Sequence, residues 1–533
     1  MTRYTKFIAV FLFLLSTSGL ASSQLKIIAV IDTAYAHGGK VEFPLSSFGD
    51  DVTDFYGVFP DIHDSSKLTI CGKVGTADPT KKKIGLVRLN PNGTFDSSFA
   101  VGGKQIISWS NSDYPNSLYV TADNNSDIFL AGMSSGASGE VDSVPALFKF
   151  KRNGLPDQSF GVTGHVAMRY DSATSGEFVT VMPEDTTLLA CGRVTKHAQN
   201  GYNGFCAMRF HADGSLDTTF GIKGKALLPA TVHTVSAYLT KNASITFIGA
   251  RDTIGLSFLI LARMTPKGLP DVTFGINGIQ NTNVAFNGKL GRLVTSIQPD
   301  YKIVAALPPL GIAGLMPITL VRFTSEGQTD TTYGSHGFVS IAFTDGESKA
   351  RGINIAKNGK TVISGSSVGS LESCATSRSN LDGSPDITFN QIGKAIIDVD
   401  SGKYSNNLIR FVGIGLKRYI GIGTSIHDGK PQFLVARFKD DSLQNVVNTS
   451  TGISESISLM PNPCHELLTL SNSKGTIHGI RISDNLGREY FQDLNLRAEP
   501  SLQIDVSKFQ SGIYTCAIAL ESNVVIKKFV VIR

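Results

Sequence analysis

Seven aspartates recur in one local setting, and as a set they are the side chains of this 533-residue chain best placed to do chemistry. Each precedes a Phe or Tyr by three residues, and in six complete copies a basic residue stands eight positions before the Asp. The aspartates are Asp32, Asp96, Asp157, Asp217, Asp271, Asp330 and Asp386, and the basic residues are Arg88, Lys149, Arg209, Arg263, Arg322, Arg378 and, in an incomplete copy, Arg437. Carboxylates can act as general acids and bases, but such catalysis needs two dissimilar groups that converge on one substrate. A repeat distributes equivalent aspartates over its units, so the pattern favours a scaffold.

Other catalytic patterns have little support. The pattern G-x-S-x-G occurs at Gly365 to Gly369, but this Gly/Ser-rich segment leads toward a strand and not into the helix that a nucleophile elbow needs. The ten histidines do not cluster, and no H-E-x-x-H, C-x-x-C or EF-hand loop occurs. We therefore expect no catalytic residue, no metal site and no cofactor. The formal charge of +5 is small and the basic run Lys81 to Lys83 is isolated, so we also expect no nucleic-acid partner.

The recurring motif can be interpreted residue by residue as a turn. A Gly three residues before each Asp, such as Gly214 before Asp217, supplies the positive φ of a tight turn. The Asp can accept backbone hydrogen bonds, and the aromatic three residues later can anchor the loop. Arg209 lies in the apolar run CAMRF, where its head group needs an acidic partner. We predict that Arg209 and its equivalents form ion pairs with an Asp of the motif.

A second phrase recurs at the same interval of about 60 residues and predicts the architecture. Runs such as KLTICG, DIFLAG and TLLACG occur seven times, and four short apolar strands fit each period without a helical pattern. This indicates an all-β fold, a seven-bladed β-propeller, with an open β-solenoid as the alternative. Asp32 to Lys40 and Phe433 to Phe438 carry complementary halves of one motif, so we expect the segment Ile27 to Val41 to complete the blade of Phe433 to Phe438.

The two ends of the chain have different compositions from the repeats. Residues 1–23 have the basic start, apolar run and small residues of a signal peptide. The repeats occupy residues 24–440, residues 441–455 form a polar linker, and residues 456–533 are predicted to form a small β-sandwich. No later segment has the length of apolar residues that a transmembrane helix needs. Export permits disulfides, and Cys191 and Cys206 could face each other across a hairpin.

Both parts of the chain resemble known families. The repeated pattern ARF…DGS.DTTFG..GK is similar to the delta-60 repeat of secreted bacterial proteins, which implies a propeller-like surface domain without a shared catalytic residue. The tail resembles the C-terminal sorting domain of type IX secretion cargo in LMPNPCHELLTLSN, ISDNLGRE, IDVSKFQSGIY and KKFVVIR. The residues that carry this second resemblance are Pro461, Asn462, Pro463, Gly512 and Tyr514. It implies contact with the type IX machinery, outer-membrane passage, and release or attachment at the cell surface.

Two functions remain open at this point. The first is a surface binding or adhesion protein whose extracellular ligand, a glycan or a protein, sits on the loops of one propeller face. The second is a secreted hydrolase or lyase that acts on a polysaccharide or another extracellular polymer from a site at the central channel. The fold hosts both, and the lack of a recognisable nucleophile, metal set or carboxylate pair favours binding.

Overall fold

A computed structural model of the chain describes residues 32, 35–36, 38–44, 52–60, 67–75, 82–109, 112–115, 121–122, 127–135, 143–171, 174–196, 203–253, 256–286, 293–307, 316–343, 346–356, 358–368, 371–389, 392–397, 405–413, 418–427, 430–439, 457–473, 476–484, 489–493, 499–520 and 524–533. The predicted signal peptide and linker lie outside these residues. The regular secondary structure of the described residues consists of β-strands and one 3₁₀ turn, Lys241–Ala243. No helix among them could cross a membrane.

The repeat region contains strands β1 to β29. They are β1 Lys40–Pro44, β2 Val52–Pro60, β3 Leu68–Gly75, β4 Lys82–Leu89, β5 Lys104–Ile107, β6 Ser112–Pro115, β7 Thr121–Ala122, β8 Ile128–Ser135, β9 Ser143–Phe150, β10 His165–Ala167, β11 Thr174–Pro183, β12 Thr187–Lys196, β13 Asn203–His211, β14 Lys225–Pro229, β15 Thr234–Leu239, β16 Ile245–Asp252, β17 Ser257–Met264, β18 Ile279–Phe286, β19 Val294–Ile297, β20 Ile303–Leu307, β21 Ile318–Phe323, β22 Phe338–Ile341, β23 Glu347–Ile355, β24 Thr361–Val368, β25 Glu372–Ser379, β26 Lys394–Ile397, β27 Ser405–Gly413, β28 Arg418–His427 and β29 Lys430–Lys439.

These strands form antiparallel sheets in which chain neighbours pair, except that β6 and β7 both pair with β8 and that β1 pairs with β29. In the described residues the sheets are β2–β5, β6–β10, β11–β14, β15–β18, β19–β22, β23–β26 and β27–β29 with β1, and we number them as repeats one to seven. The first strand of a sheet packs against the sheet before it, as β11 does on β8 and β9 and as β27 does on β23 to β25. This is the topology of a β-propeller. The all-β class and the propeller are confirmed, whereas the blade count of seven stays a prediction.

Apolar cores lie between successive sheets. Phe205 of the third repeat and Phe247 of the fourth are fully buried in one core, with ring centroids 5.2 Å apart. Central strands are covered on both faces and are therefore almost continuously apolar, as in IVAAL of β20, where every residue is buried. The packing between neighbours explains why one period of sequence cannot fold alone.

The two ends of the repeat region meet in the seventh repeat. Strand β1 pairs antiparallel with β29, with Val41 opposite Val435, and the Asp32 N–H donates to the Arg437 carbonyl at 2.8 Å. Tyr35 lies in one core with residues of the first and seventh sheets, among them Leu68 and Phe433. For its described residues, the prediction that the segment Ile27 to Val41 completes the blade of Phe433 to Phe438 is confirmed. Residues 27–31, 33–34 and 37 lie outside the described part of the chain.

The tail forms two sheets around a separate core. Its strands are β30 Ile457–Met460, β31 Leu467–Asn472, β32 Ile477–Asp484, β33 Glu489–Asp493, β34 Ser501–Asp505, β35 Gly512–Leu520 and β36 Val524–Val531. The sheet orders are β30-β31-β34 and β33-β32-β35-β36. Residues of both sheets, such as Leu468 and Ile518, share one buried core, which is the predicted sandwich.

The expectation for Cys191 and Cys206 is wrong. Strands β12 and β13 do pair, but Cys191 lies opposite Ala207 and Cys206 lies opposite Gly192. This one-residue offset directs the two side chains to opposite faces of the sheet, where they enter different cores. Both are free thiols, and burial raises the pKa of Cys206 to about 12.

Candidate functional site

The recurring basic and acidic residues are brought together as ion pairs. Six described repeats contain the pair with nitrogen–oxygen distances between 2.5 and 2.9 Å, and the aspartates are almost fully buried in most of them. The pairs are Lys149–Asp157, Arg209–Asp217, Arg263–Asp271, Arg322–Asp330, Arg378–Asp386 and Arg437–Asp32. The last pair joins residues from the two ends of the repeat region, as the half-motifs predicted.

The first repeat uses a different cation. Lys67 Nζ lies 2.9 Å from Asp96 Oδ2, and Arg88 Nε donates to Thr69 Oγ1 at 3.0 Å. Lys67 begins the second recurring phrase, and the equivalent Lys302 and Lys360 lie 3.2 and 2.9 Å from the carboxylates of Asp330 and Asp386. Sequence reasoning missed these members of the network, although their position at the start of KLTICG, KIVAAL and KTVISG is a signal that could have found them.

The second carboxylate oxygen of the motif Asp closes a turn in six repeats. Asp217 Oδ1 accepts the Thr219 N–H at 3.0 Å and the Thr219 hydroxyl at 2.5 Å, and Ser or Thr does the same in five further repeats. Burial alone would raise the pKa of Asp157, but hydrogen bonds from Lys149 and Ser159 lower it to about 2. Burial is likewise outweighed at Asp330, where Thr332 and Lys302 bring the pKa to about 2. Carboxylates held ionised in this way are poor proton donors and acceptors near neutral pH.

The basic residue also reaches the next repeat. Arg263 Nη1 donates to the Ser325 carbonyl at 3.2 Å, and Arg437 Nη1 donates to the Pro91 carbonyl at 3.2 Å. Arg322 contacts the Leu381 carbonyl, also one repeat further along the chain. In six repeats the guanidinium carbon lies 4.4–5.0 Å from the centroid of the motif aromatic ring. Each loop therefore fastens its own sheet to the following one.

The aromatic ring and the Gly of the next repeat complete this fastening. A Cβ on Gly154, which has φ +83°, would lie 2.5 Å from Phe99 Cζ, and one on Gly327 would lie 2.5 Å from Phe274 Cζ. The Gly is thus required for its positive φ and for the close approach of the ring. The set predicted as a scaffold has the geometry of one, but that role itself stays a proposal.

The second recurring Gly stands opposite a β-bulge. Gly192 pairs with Phe178 where the register of β11 shifts by one residue, and Gly365 pairs with Ala350 where β23 shifts in the same way. A Cβ on Gly365 would lie 1.8 Å from the Lys349 carbonyl oxygen. The bulge adds twist to the first strand of the sheet. Gly365 and Ser367, the first Gly and the Ser of the G-x-S-x-G pattern, therefore lie inside strand β24, between two neighbouring strands, and not at a turn into a helix.

Two groups of Ser, His and acidic residues resemble catalytic triads but lack their geometry. His427 Nε2 lies 2.7 Å from Ser425 Oγ and 3.1 Å from Glu42 Oε1, whereas a triad histidine uses opposite ring nitrogens for these two partners. In the other group Asp252 Oδ1 contacts both His233 Nε2 and Ser257 Oγ. The serine hydroxyl therefore donates to the aspartate, whereas in a triad it donates to the histidine. The described residues also contain no group of three or more His, Cys, Asp or Glu placed to hold a metal ion.

A polar cleft of about 560 Å³ lies between the fourth and fifth repeats. Its walls are the β15–β16 turn with Asn242, the β19–β20 turn with Asp300 and Tyr301, and the loop after β21 with Glu326. The Arg263–Asp271 pair forms part of its lining, and Arg263 Nη1 lies 3.1 Å from Glu326 Oε2. The motif scaffold therefore fixes one wall, and two turns without repeated sequence supply the rest.

Residues other than Gly adopt positive φ in both turns of this cleft. Asn242 has φ +61° and Tyr301 has φ +65°. Among the described residues, the other positive-φ positions that are not Gly lie in the motif turns, except Ala243 beside Asn242. A bulky Tyr in the left-handed region is rare and costs about 1–3 kcal/mol, and such residues cluster at functional sites. The β19–β20 turn has the same two backbone hydrogen bonds as the β23–β24 turn of the next repeat, where Gly359 takes the position of Tyr301 with φ +79°. A Tyr at this position gives no sequence signal for that conformation.

The tail residues singled out from the sequence hold its last strand. Asn462, between Pro461 and Pro463, accepts the Val530 N–H at its Oδ1 at 2.8 Å and donates to the Lys528 carbonyl at 3.3 Å. Tyr514 is buried and donates to the Gln510 carbonyl at 2.9 Å, while Gly512 begins strand β35. These residues stabilise one edge of the sandwich.

Comparisons with known proteins agree with this architecture. The model of the family "Secretion system C-terminal sorting domain" matches residues 458–532, and that of "Domain of unknown function (DUF5122) beta-propeller" matches residues 82–99 and 187–220. No curated protein matches the chain.

Similar solved structures include the β-propeller domain of the Trilobed protease from Pyrococcus furiosus, with 10% identity, TM-score 0.36, and coverage of 75% of this chain and 98% of that one. The acylaminoacyl peptidase of Pyrococcus horikoshii has 10% identity and TM-score 0.37, with coverage of 81% and 59%. The polysaccharide lyase Uly1 has 9% identity and TM-score 0.40, with coverage of 70% and 88%.

The family match of residues 458–532 indicates where the protein is exported. A type IX sorting domain interacts with the secretion machinery and directs export across the outer membrane. This chain is therefore an exported β-propeller protein whose C-terminal domain is similar to type IX sorting domains, and it resides at the outer cell surface or in the medium.

Proposed function

We propose that the protein is a binding or adhesion module that holds an extracellular glycan in the polar cleft between the fourth and fifth repeats. The observation that carries the proposal is the strained Tyr301, which lines the cleft with φ +65° and is 36% exposed. A strained backbone persists only where the surroundings hold it, and binding sites are where it accumulates.

The chemistry of the cleft suits a ligand rich in hydroxyl groups. Tyr301 offers an aromatic face and a hydroxyl, Asn242 an amide, and Asp300 and Glu326 carboxylate acceptors. Sugars present apolar ring faces beside hydroxyls, so an aromatic surface flanked by donors and acceptors complements them. The volume of about 560 Å³ is within the range of small-molecule sites and would accept a few sugar units of a longer chain.

The remaining domain assignments support this role as proposals. The signal peptide 1–23 would direct the chain through the inner membrane, residues 24–440 would present the cleft, and the linker 441–455 would separate it from the sorting domain 456–533. The repeated Arg and Asp residues would serve as the scaffold that keeps the cleft walls in place.

The test is a glycan array probed with the full-length secreted protein. We expect binding to one class of glycan, loss of that binding in Tyr301→Ala, and retention in Leu371→Ala, because Leu371 is 40% exposed at the opposite end of the strands. An array without a bound glycan would contradict the proposal. Chromogenic esters and glycosides are assayed in parallel, and their turnover would favour the hydrolase or lyase alternative.

A further inference from the structure

Aliphatic side chains protrude at one equivalent turn in four successive repeats. Val101, Val162, Ile222 and Ile276 follow their motif Asp by five residues and are 80%, 70%, 73% and 77% exposed. Each begins a tight two-residue hairpin turn, in which, for example, the Val162 N–H donates to the His165 carbonyl at 2.8 Å. Folding leaves these four side chains exposed to water, so they contribute no hydrophobic stabilisation to the folded state.

The turn does not require an aliphatic residue at this position. The fifth repeat makes the same turn with Ser335, whose N–H donates to the Phe338 carbonyl at 2.8 Å. The next residue, His336, has φ +53°, close to the +52° of Thr163 in the second repeat. The chain thus shows that Ser builds this turn, and the four aliphatic residues need another explanation.

The four turns lie on loops that are joined in series. The Ala100 N–H donates to the Asn153 carbonyl at 2.6 Å, the Gly161 N–H to the Asp213 carbonyl at 2.7 Å, and the Gly221 N–H to the Lys267 carbonyl at 2.8 Å. The same loops expose three further aliphatic side chains, Leu155, Leu269 and Val272. We call this row of exposed aliphatic residues, from Val101 to Ile276, the apolar rim.

Basic residues accompany the apolar rim. Its loops expose four basic side chains, Lys151, Arg152, Lys223 and Lys267, and one acidic side chain outside the ion pairs, Asp213. In the fifth and sixth repeats Glu326 and Asp382 take the position of Lys267 before the motif Gly. Apolar tips and positive charge therefore occur together on one part of the ring, and negative charge on another.

We infer that the apolar rim docks the protein on an anionic lipid surface. Single side chains at the tips of convex turns can enter the boundary between headgroups and acyl chains, whereas a protein partner would need a complementary concave surface. Each Lys or Arg near a negative membrane adds attraction, which is the observed charge complementarity. This inference goes beyond the proposed glycan binding, and no residue of the apolar rim lines the cleft.

The experiment is sedimentation of the full-length protein with phosphatidylcholine vesicles, with and without phosphatidylglycerol. We expect binding to the anionic vesicles that weakens as salt rises. The triple variant Val162→Ser, Ile222→Ser and Ile276→Ser should bind at least about tenfold more weakly, since three aliphatic groups leave the interface. The control variant Leu256→Ser and Leu371→Ser, at the opposite end of the strands, should bind like the wild type.

The single tryptophan gives a second readout. Trp109 Nε1 donates to the Thr163 carbonyl of the second tip at 3.0 Å, so brominated lipids should quench its fluorescence when the rim docks. Sedimentation without quenching, equal binding of the triple variant, or no binding to either vesicle would overturn the inference. A dimer in lipid-free solution that the triple variant abolishes would also overturn it and assign the rim to a second copy of the chain. Glycan binding by the cleft is unaffected by any of these results.

Discussion

Replacing Asp330 by Ala should be the most damaging single change in the scaffold. Asp330 Oδ2 lies 2.9 Å from Arg322 Nε and 3.2 Å from Lys302 Nζ, and its Oδ1 accepts two hydrogen bonds from Thr332. The Asp330 and Arg322 side chains are only 5% and 4% exposed. The substitution leaves the Arg322 guanidinium buried without its carboxylate, although Gln298 and the Leu381 carbonyl still accept from it.

The expected loss is about 3–5 kcal/mol in the free energy of unfolding, the usual cost of removing one partner of a buried ion pair. Asp300→Ala is the matched control, because Asp300 pairs with the same Lys302 at 3.4 Å but is 55% exposed, and it should cost no more than about 1 kcal/mol. Asp330→Asn preserves the shape and should fall between the two.

The assay is denaturant unfolding of the three variants, combined with hydrogen exchange. The Gly334 N–H, which donates to the Asp382 carbonyl of the next repeat at 2.7 Å, should exchange faster in Asp330→Ala, because the contact between the fifth and sixth repeats loosens. Equal destabilisation by Asp330→Ala and Asp300→Ala would refute the reasoning.

Three further outcomes are expected. On acidification, protonation of Asp157 and of Asp330 should each lower the free energy of unfolding by about 2 kcal/mol, because their folded pKa of about 2 lies below the ordinary 3.8. This stabilisation is complete above about pH 4 and disappears toward pH 2. A melting temperature that does not change over this range would contradict the prediction. Gly154→Asn should lower the free energy of unfolding by about 1–3 kcal/mol more than Gly102→Asn does, since both glycines have positive φ but only Gly154 faces an aromatic ring, that of Phe99. Equal shifts of the melting temperature in the two variants would show that contact with Phe99 does not require Gly154. Deletion of residues 456–533 should leave the propeller folded but retained in the periplasm. Surface labelling equal to that of the full chain would contradict a sorting function.

The sequence predicted most of the repeated contacts, because local spacing fixes them. A basic residue eight positions before an Asp, with a Gly between them, closes one loop, and this loop forms the predicted ion pair in five repeats. The sixth pair, Arg437–Asp32, joins the two ends of the repeat region, as their complementary half-motifs indicated. Contacts between repeats were harder to predict. The reach of Arg263 to the Ser325 carbonyl depends on the angle between two sheets, which no single repeat encodes.

Features that occur once were not predictable. The faces of Cys191 and Cys206 depend on register, and a shift of one residue reverses them. The cleft at Tyr301 is formed by two turns of unlike sequence. Tyr301 adopts the positive φ that Gly359 has in the equivalent turn of the next repeat, and a Tyr does not indicate that conformation. Strain at such a position is held by the surrounding structure, so the local sequence does not indicate it.

The most direct test of the division between scaffold and binding site is calorimetric titration of the glycan selected on the array into two variants. Asp217→Asn alters a motif Asp of the third repeat, away from the cleft, and Tyr301→Ala alters the cleft without touching an ion pair. We expect Asp217→Asn to lower the melting temperature and retain the wild-type Kd, whereas Tyr301→Ala should melt like the wild type and bind at least about tenfold more weakly. Loss of affinity in Asp217→Asn at a temperature where it is fully folded, with wild-type affinity in Tyr301→Ala, would contradict it.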